Sequence, residues 1–254
     1  MGSRVELIGI PGLPEIAARD RLGTLIAGAI GAAGEELDAG DIVVISQKVV
    51  SKAEGRVRDL ALVEPGRRAR EMAGGLGKDP RLVELILGES RAVVRAERGV
   101  LIVETRGGWI CANAGIDASN VPGDLSVTLL PEDPDASARR VRAELDAATG
   151  VAPAVVIADS FGRPWRLGQA DVAIGCAGLT PLDDRRGQRD RAGRELAVTE
   201  IAVADQVAAA ADLARTKESG SPACLIRGLE RFVSADHGPG ARVLRRPERN
   251  DLFR

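Results

Sequence analysis

Short apolar runs alternate along the chain with longer segments whose apolar residues recur at helical spacing. The β-branched run at 42–45 predicts a buried strand. The run at 154–158 predicts a second buried strand, which ends directly in Asp159-Ser160. Further strands are predicted at 99–104 and 109–112, around an Arg-Gly-Gly turn, and at 223–228.

Four segments between these runs have the periodicity of helices. They are predicted at 60–77, 80–87, 137–148 and 195–214, with a break between Gly77 and Pro80 and an end at Gly150. Because strands and helices alternate, the pattern indicates a mixed α/β (α+β) architecture. We expect residues 1–254 to form one domain, with a polar tail at 234–254 that packs loosely.

Composition favours a water-soluble protein that has no polyanionic partner. The chain is 44% apolar and its net charge is -2, so a core can form and neither a nucleic acid nor an acidic membrane is required. No window approaches the roughly 20 apolar residues of a membrane span, and the first residues do not resemble a signal peptide. We therefore expect a cytoplasmic location.

Two features of the composition narrow the chemistry. The three cysteines, Cys111, Cys176 and Cys224, are far apart and form no CxxC pair, which argues against a disulfide framework and a structural zinc site. His237 is the only histidine and tyrosine is absent, which argues against a Ser-His-Asp triad. Carboxylates, lysines, arginines, hydroxyls and metal ions are left to carry out any reaction.

The first candidate site follows the strand at 42–45. Two of the four lysines in the chain, Lys48 and Lys52, lie within five residues of each other there. An ammonium group suits phosphate oxygens, and α/β proteins bind ligands at the ends of buried strands. The alternative is a solvated strand edge.

Two further motifs combine carboxylates with small or polar residues. In the segment 111–120, Asp117 and Asn120 offer oxygen ligands or hydrogen bonds, although an Asx-type turn would explain them equally well. After the strand at 154–158, Asp159 and Ser160 suit Mg²⁺ or Mn²⁺. Arg163 and its neighbours could hold a phosphate or carboxylate. The alternative there is an N-capping Asp159 with surface arginines.

A fourth motif is the densely charged, glycine-containing segment 183–195. It is either a loop that contacts an anionic substrate or a solvated loop before the predicted helix at 195–214.

Taken together, the segments resemble the F420-0:gamma-glutamyl ligase family. The resemblance runs in order through 12–16, 40–55, 113–120, 129–135, 159–166, 173–175, 194–196 and 227–229. It implies a two-lobed monomer that forms an intertwined homodimer. It also implies a reaction in which GTP activates the phospholactyl carboxylate of the coenzyme F420 precursor as an acyl phosphate. The amine of L-glutamate then attacks, and later glutamates are gamma-linked.

The resemblance also assigns roles to individual residues. The residues expected to line or contact GTP are Leu13, Pro14, Glu15, Ile16, Gln47, Lys48, Lys52, Asn120 and Lys217. One Mg²⁺ or Mn²⁺ would be bound by Asp117 and Asp159, and a second by Ser160 with Glu218. A K⁺ ion is a further expected cofactor. Lys48, Lys52, Asp159 and Arg163 are the expected catalytic residues. The loop at 215–220 is shorter than in archaeal members, which makes Glu218 the least supported assignment.

Three alternatives remain at this stage. One is a related ligase that acts on a different acidic acceptor. Another is a nucleotide- or deazaflavin-binding protein without activity, although the intact set of charged motif residues argues against it. The third is a metal-dependent phosphohydrolase, which would turn over nucleotide without glutamate.

Overall fold

A five-stranded sheet forms the centre of the molecule. The computed structural model describes residues 4–119, 123–215 and 220–253. The sheet has the order β1-β12-β2-β8-β9, and its strands are β1 (Glu6–Ile10), β2 (Ile42–Ser46), β8 (Ala154–Arg163), β9 (Arg166–Ala177) and β12 (Ala223–Arg227). Strands β2 and β8 are parallel, with Ile42 beside Ala154, and the other neighbours are antiparallel. The predicted mixed α/β class is confirmed.

Both faces of this sheet are buried. On one face Val43, Ile45 and Val155 join a core with α1 (Leu22–Ala32) and α5 (Pro134–Thr149). On the other face Val44 and Val156 pack with α6 (Val203–Asp212). Burial on both faces explains why the parallel strands are continuously apolar in sequence. Helix α2 (Gln47–Ala53) follows β2 without a loop.

A second sheet packs with its own apolar cluster. Strands β4 (Ser90–Glu97), β5 (Val100–Thr105) and β6 (Ile110–Ala112) are antiparallel, and α3 (Arg67–Leu76) and α4 (Pro80–Gly88) contribute to their core. Two short ribbons complete the fold, one of β3 (Val57–Asp59) with β7 (Ser126–Thr128) and one of β10 (Asp183–Asp184) with β11 (Glu200–Ile201).

Several predicted helix bounds are confirmed by their caps. Gly77 ends α3 in the left-handed conformation, and the side chain of Asp79 accepts a hydrogen bond from the amide of Arg81 at the start of α4. Helix α5 ends at Gly150 as predicted, but begins three residues earlier, at Pro134. Proline is well suited to that first position because it needs no amide partner there.

Three predicted elements are wrong in extent. The helix predicted at 60–77 begins only at Arg67, after a short 3₁₀ turn. The helix predicted at 195–214 begins at Val203, because Glu200 and Ile201 pair with β10 instead. The strand predicted to end at Ala158 continues to Arg163, because it pairs with β9 along that length. Asp159 therefore lies within a strand and caps no helix.

Part of the polar tail is well packed, contrary to the prediction. Ala241 is fully buried, and its amide donates to Asp135 Oδ1 at 2.7 Å. The buried guanidinium of Arg142 donates to the carbonyl of Ser234 at 2.8 Å and that of Asp236 at 3.0 Å. These contacts hold the start of the tail against α5. Within the described part of the chain, no helix has the length and apolar character to span a membrane.

Candidate active site

Helix α2 presents the two lysines of the first motif on one face. Lys48 and Lys52 are four residues apart, so they project from the same side of the helix. Lys48 Nζ lies 2.8 Å from Asp117 Oδ2, and Lys52 Nζ lies 2.6 Å from Glu15 Oε1. The segment is helical rather than a strand edge, and both lysines are largely buried. The predicted segments 12–16, 40–55 and 111–120 thus meet at this helix.

Asp117 is held by both its backbone and its carboxylate. Its amide and carbonyl pair with Thr128 at the end of β7. Its Oδ1 accepts from the amide of Ser119 at 2.7 Å, so the Asx-type turn is also present. Burial by itself would raise the pKa of Asp117, but the hydrogen bonds from Lys48 and Ser119 outweigh it and lower that pKa. Asp117 is therefore a carboxylate at neutral pH.

Asp159 projects from β8 into the same region. Burial raises its pKa from 3.8 to about 7, and the negative charges of Asp171 and Asp117 add to the rise. Lys48 opposes the shift. The charges of Asp171 and Asp117 therefore disfavour ionisation of Asp159 in its desolvated position.

Asp171 is a residue that sequence reasoning missed. It lies on β9 opposite Ser160, whose Oγ donates to Asp171 Oδ1 at 2.6 Å. Arg215 Nη2 donates to Asp171 Oδ2 at 2.5 Å, and both side chains are almost fully buried. A charged residue at the start of an apolar strand was the only signal in the sequence. Asp171 therefore links Ser160 to Arg215.

The donor set suits a divalent cation without completing its coordination. Among the described residues, no group of three or more histidine, cysteine or acidic side chains stands close enough to hold a metal ion by itself. Mg²⁺, however, uses one or two carboxylates and takes its other ligands from water and phosphate. Burial and the negative charges of Asp171 and Asp117 disfavour the ionised form of Asp159, and a bound cation would relieve this effect. The residues present therefore fit such an ion.

The segment that leads to Asp117 has unusual backbone geometry. Asn113 and Ala114 have φ angles of 53° and 56°, and Gly115 follows with 69°. Left-handed conformation in residues other than glycine costs about 1–2 kcal/mol each, and such strain concentrates at functional sites. Asn113 Oδ1 is also buried without a hydrogen-bond partner. Sequence reasoning assigned neither residue a role.

The amino-terminal segment 12–16 contributes in different ways. Ile16 is buried in the core, and Leu13 packs against that core. Pro14 and Glu15 are exposed, with Glu15 paired to Lys52.

Gln47 is buried, and its Oε1 accepts from Ser51 Oγ at 2.8 Å. Its Nε2 has no partner among the described residues, so a hydrogen-bond donor is available there.

Some predicted site residues are not part of this cluster. Arg163 lies near the tip of the β8–β9 hairpin, where its guanidinium donates to the carbonyls of Leu167 and Gly168. The charged segment 183–195 is mostly exposed and bonds largely within itself, as in the pair Arg186–Asp184 at 2.6 Å. Asn120, Lys217 and Glu218 lie outside the described residues.

Comparison with known proteins identifies the family. The model of the F420-0:Gamma-glutamyl ligase family matches residues 12–228. The chain belongs to this family. It is 46% identical over 251 residues to the coenzyme F420:L-glutamate ligase of Methanothermobacter thermautotrophicus, covering 98% of this chain and 99% of that protein. The ligase of the same name from Methanopyrus kandleri is 46% identical over 221 residues, 86% of this chain and 87% of that protein.

A more divergent relative has the same extent. The coenzyme F420:L-glutamate ligase of Haloarcula marismortui is 39% identical over 253 residues, which is 97% of this chain and 95% of that protein. The resemblance predicted from the ordered motifs is confirmed. The chain is an enzyme of a ligase family.

Proposed function

We propose that the protein joins L-glutamate to the coenzyme F420 precursor at the expense of GTP. The observation that carries the proposal is the convergence of Lys48, Asp117 and Asp159 at the end of the parallel strands, in a chain of the F420-0:gamma-glutamyl ligase family. Coenzyme F420:L-glutamate ligase is also the name of the relatives that match almost the whole chain.

The reaction needs an activated acyl group. A carboxylate and an amine do not condense in water because hydroxide is a poor leaving group. Transfer of the γ-phosphoryl group of GTP to a carboxylate oxygen of the precursor forms an acyl phosphate and releases GDP. The glutamate amine then attacks the acyl carbon, a C–N bond forms, the C–O bond to phosphate breaks, and the amine gives up a proton.

The residues around α2 would bind the nucleotide. Lys48 and Lys52 would neutralise charge on the transferred phosphoryl group, which is the main catalytic demand of phosphoryl transfer. Both ammonium groups are presently paired with carboxylates, so each is held in a defined place. The unpartnered Nε2 of Gln47 supports a role in hydrogen bonding to the nucleotide. Residues 13–16, Asn120 and Lys217 would complete the GTP site.

Asp117 and Asp159 would hold one Mg²⁺ or Mn²⁺, and Ser160 with Glu218 a second. Such ions supply charge neutralisation and orientation to phosphate oxygens. The support for the first pair is the raised pKa of Asp159 beside a second carboxylate. For Ser160, the support is its fixed hydroxyl, which donates to Asp171.

The active form would be a homodimer joined by the β8–β9 hairpin. Trp165 is 77% exposed and Leu167 is 97% exposed near the tip of this hairpin. Large apolar residues exposed together commonly mark an interface. Docking onto a second copy would bury both residues. It would also bring Arg163 of one chain towards the other chain, where Arg163 could carry out its proposed catalytic role.

Mass spectrometry tests the function directly. The F420 precursor is incubated with the protein, GTP, Mn²⁺ and L-glutamate. A gain of one or more glutamyl units that disappears when GTP or the metal is omitted is the expected result. Cleavage of GTP without a mass gain would instead indicate another acceptor or a hydrolase.

A further inference from the structure

A cleft lined partly by residues that neighbour the lysine and aspartate cluster in sequence has no role in the proposal above. Its volume is about 300 Å³. It is bounded by the turn between β5 and β6, the residues after α2, and the segment after β7. The residues that matter to its chemistry are Arg56, Glu89, Arg106, Trp109, Leu130 and Glu132.

One wall of the cleft carries a fixed network of both charges. Arg56 is largely buried, and its Nη2 lies 2.6 Å from Glu89 Oε2. Its Nη1 lies 3.2 Å from Glu132 Oε1, and its Nε donates to the carbonyl of Leu130 at 3.0 Å. The Glu132 side chain is 80% exposed, so this carboxylate has oxygen surface left for a ligand.

The turn between β5 and β6, which is hydrogen-bonded to Glu89, carries an exposed positive charge. The amide of Arg106 donates to the carbonyl of Glu89 at 2.9 Å, and the amide of Trp109 donates to Thr105 Oγ1 at 3.0 Å. The guanidinium of Arg106 is exposed and makes no hydrogen bond or ion pair with the described residues. A fixed backbone with an unengaged guanidinium suits recognition of a carboxylate.

The cleft is joined to the candidate active site along two chain segments. Ala114 lines the cleft, and its strained segment leads within three residues to Asp117. Arg56 follows the helix that carries Lys48 and Lys52. A ligand in the cleft would therefore contact chain segments that also carry the residues proposed to handle the phosphoryl group.

We propose that this cleft is the binding site for the amino-acid substrate, an α-amino dicarboxylate such as L-glutamate. Arg106 binds a carboxylate, Glu132 faces the ammonium group, and Trp109 with Leu130 contacts the methylene carbons. A phosphate-bearing ligand would meet the unfavourable charges of Glu89 and Glu132, whereas an amino acid uses both signs. This assignment rests on the proposed ligase function.

Kinetics with two variants test the assignment. Arg106→Gln removes the carboxylate contact, and Glu132→Gln removes the ammonium contact. Glutarate has both carboxylates of glutamate but no amine, so it should inhibit by occupying the same cleft. Arg95→Gln is the matched control. Arg95 lies on β4 of the same sheet and is exposed, and its ion pair with Glu97 is long at 3.9 Å.

Each variant has a distinct expected signature. Arg106→Gln should raise both the KM for L-glutamate and the inhibition constant of glutarate by about tenfold or more, the effect of losing a charge-assisted hydrogen bond. Glu132→Gln should raise the KM for L-glutamate and leave glutarate inhibition nearly unchanged. The KM values for GTP and the F420 precursor should stay at the Arg95→Gln level in both variants.

Two outcomes would overturn the assignment. One is an effect of Arg106→Gln on the KM for the F420 precursor and none on that for L-glutamate. The other is kinetics identical to those of Arg95→Gln. If the unmodified protein adds no glutamate at all, calorimetric titration separates the two proposals. Binding of L-glutamate that Arg106→Gln abolishes would support the cleft even then, and absence of binding would refute it.

Discussion

The ion pair between Asp171 and Arg215 offers a stringent test of how the candidate site is built. Arg215 Nη2 and Asp171 Oδ2 are 2.5 Å apart, and the two side chains are 5% and 6% exposed. Asp171→Asn keeps the shape of the side chain but leaves the guanidinium buried without its counter-charge. The single amide oxygen also cannot accept from both Arg215 and Ser160 in the present geometry.

The expected loss of stability is large. Removing one partner of a buried ion pair costs about 3–5 kcal/mol because an uncompensated charge remains in low dielectric. Asparagine retains one acceptor, so we expect the lower end, about 3 kcal/mol. For a chain of this length, about 2–4 °C of Tm per kcal/mol gives a fall of about 6–12 °C.

Urea unfolding and a thermal melt measure this loss against a matched control. Asp184→Asn makes the same chemical change in the pair with Arg186, where the ions are 2.6 Å apart but the side chains are 45% and 50% exposed. Water screens that pair, so its loss should leave the midpoint essentially unchanged. Equal shifts for the two aspartates would refute the argument from burial. Replacing both members of the buried pair, as Asp171→Leu with Arg215→Met, should recover much of the stability.

Three further predictions test the remaining assignments. Asp117→Ala or Asp159→Ala should abolish glutamate addition while leaving the far-UV circular dichroism intact; near-normal turnover in either variant would disprove the ligand assignment. Because burial raises the pKa of Asp159 from 3.8 to about 7, folding favours its protonated form. In metal-free buffer, the contribution of Asp159 to the free energy of unfolding should therefore decrease as pH rises from about 4 to about 7. Urea titrations at several pH values measure this decrease, and it should be smaller in Asp159→Asn. Trp165→Ser combined with Leu167→Ser should convert a dimer to a monomer in light scattering, whereas an unchanged mass would exclude the hairpin as the dimer contact.

The buried strands and the family were accessible from the sequence. The runs at 42–45 and 154–158 are apolar at every position because the sheet is covered on both faces. The carboxyl end of each strand predicted a ligand-binding position, and the parallel pairing of the two strands in the structure brings Lys48 and Asp159 to the same edge of the sheet. The order of short motifs was specific enough to indicate the family, which the comparisons confirm.

The errors arose where pairing between distant segments overrode local preference. Residues after Asp159 are polar and glycine-containing, as in a loop, but they extend β8 because β9 returns alongside them. The segment before Val203 has helical periodicity in part, yet Ile201 pairs with Asp183 in a ribbon. Local patterns carry no record of such partners.

The sequence by itself determined the strands that are buried on both faces and the helices that are buried on one face. Burial selects apolar residues on each buried face, and this selection leaves a local pattern in the sequence. The clustering of Asp171 with Ser160, the cleft between Arg56 and Arg106, and the insertion of β12 between β1 and β2 were decided only by the tertiary structure. Each depends on contacts between residues far apart in the chain. Such contacts arise when the whole chain buries its apolar surface together, a cooperative requirement that no single segment contains.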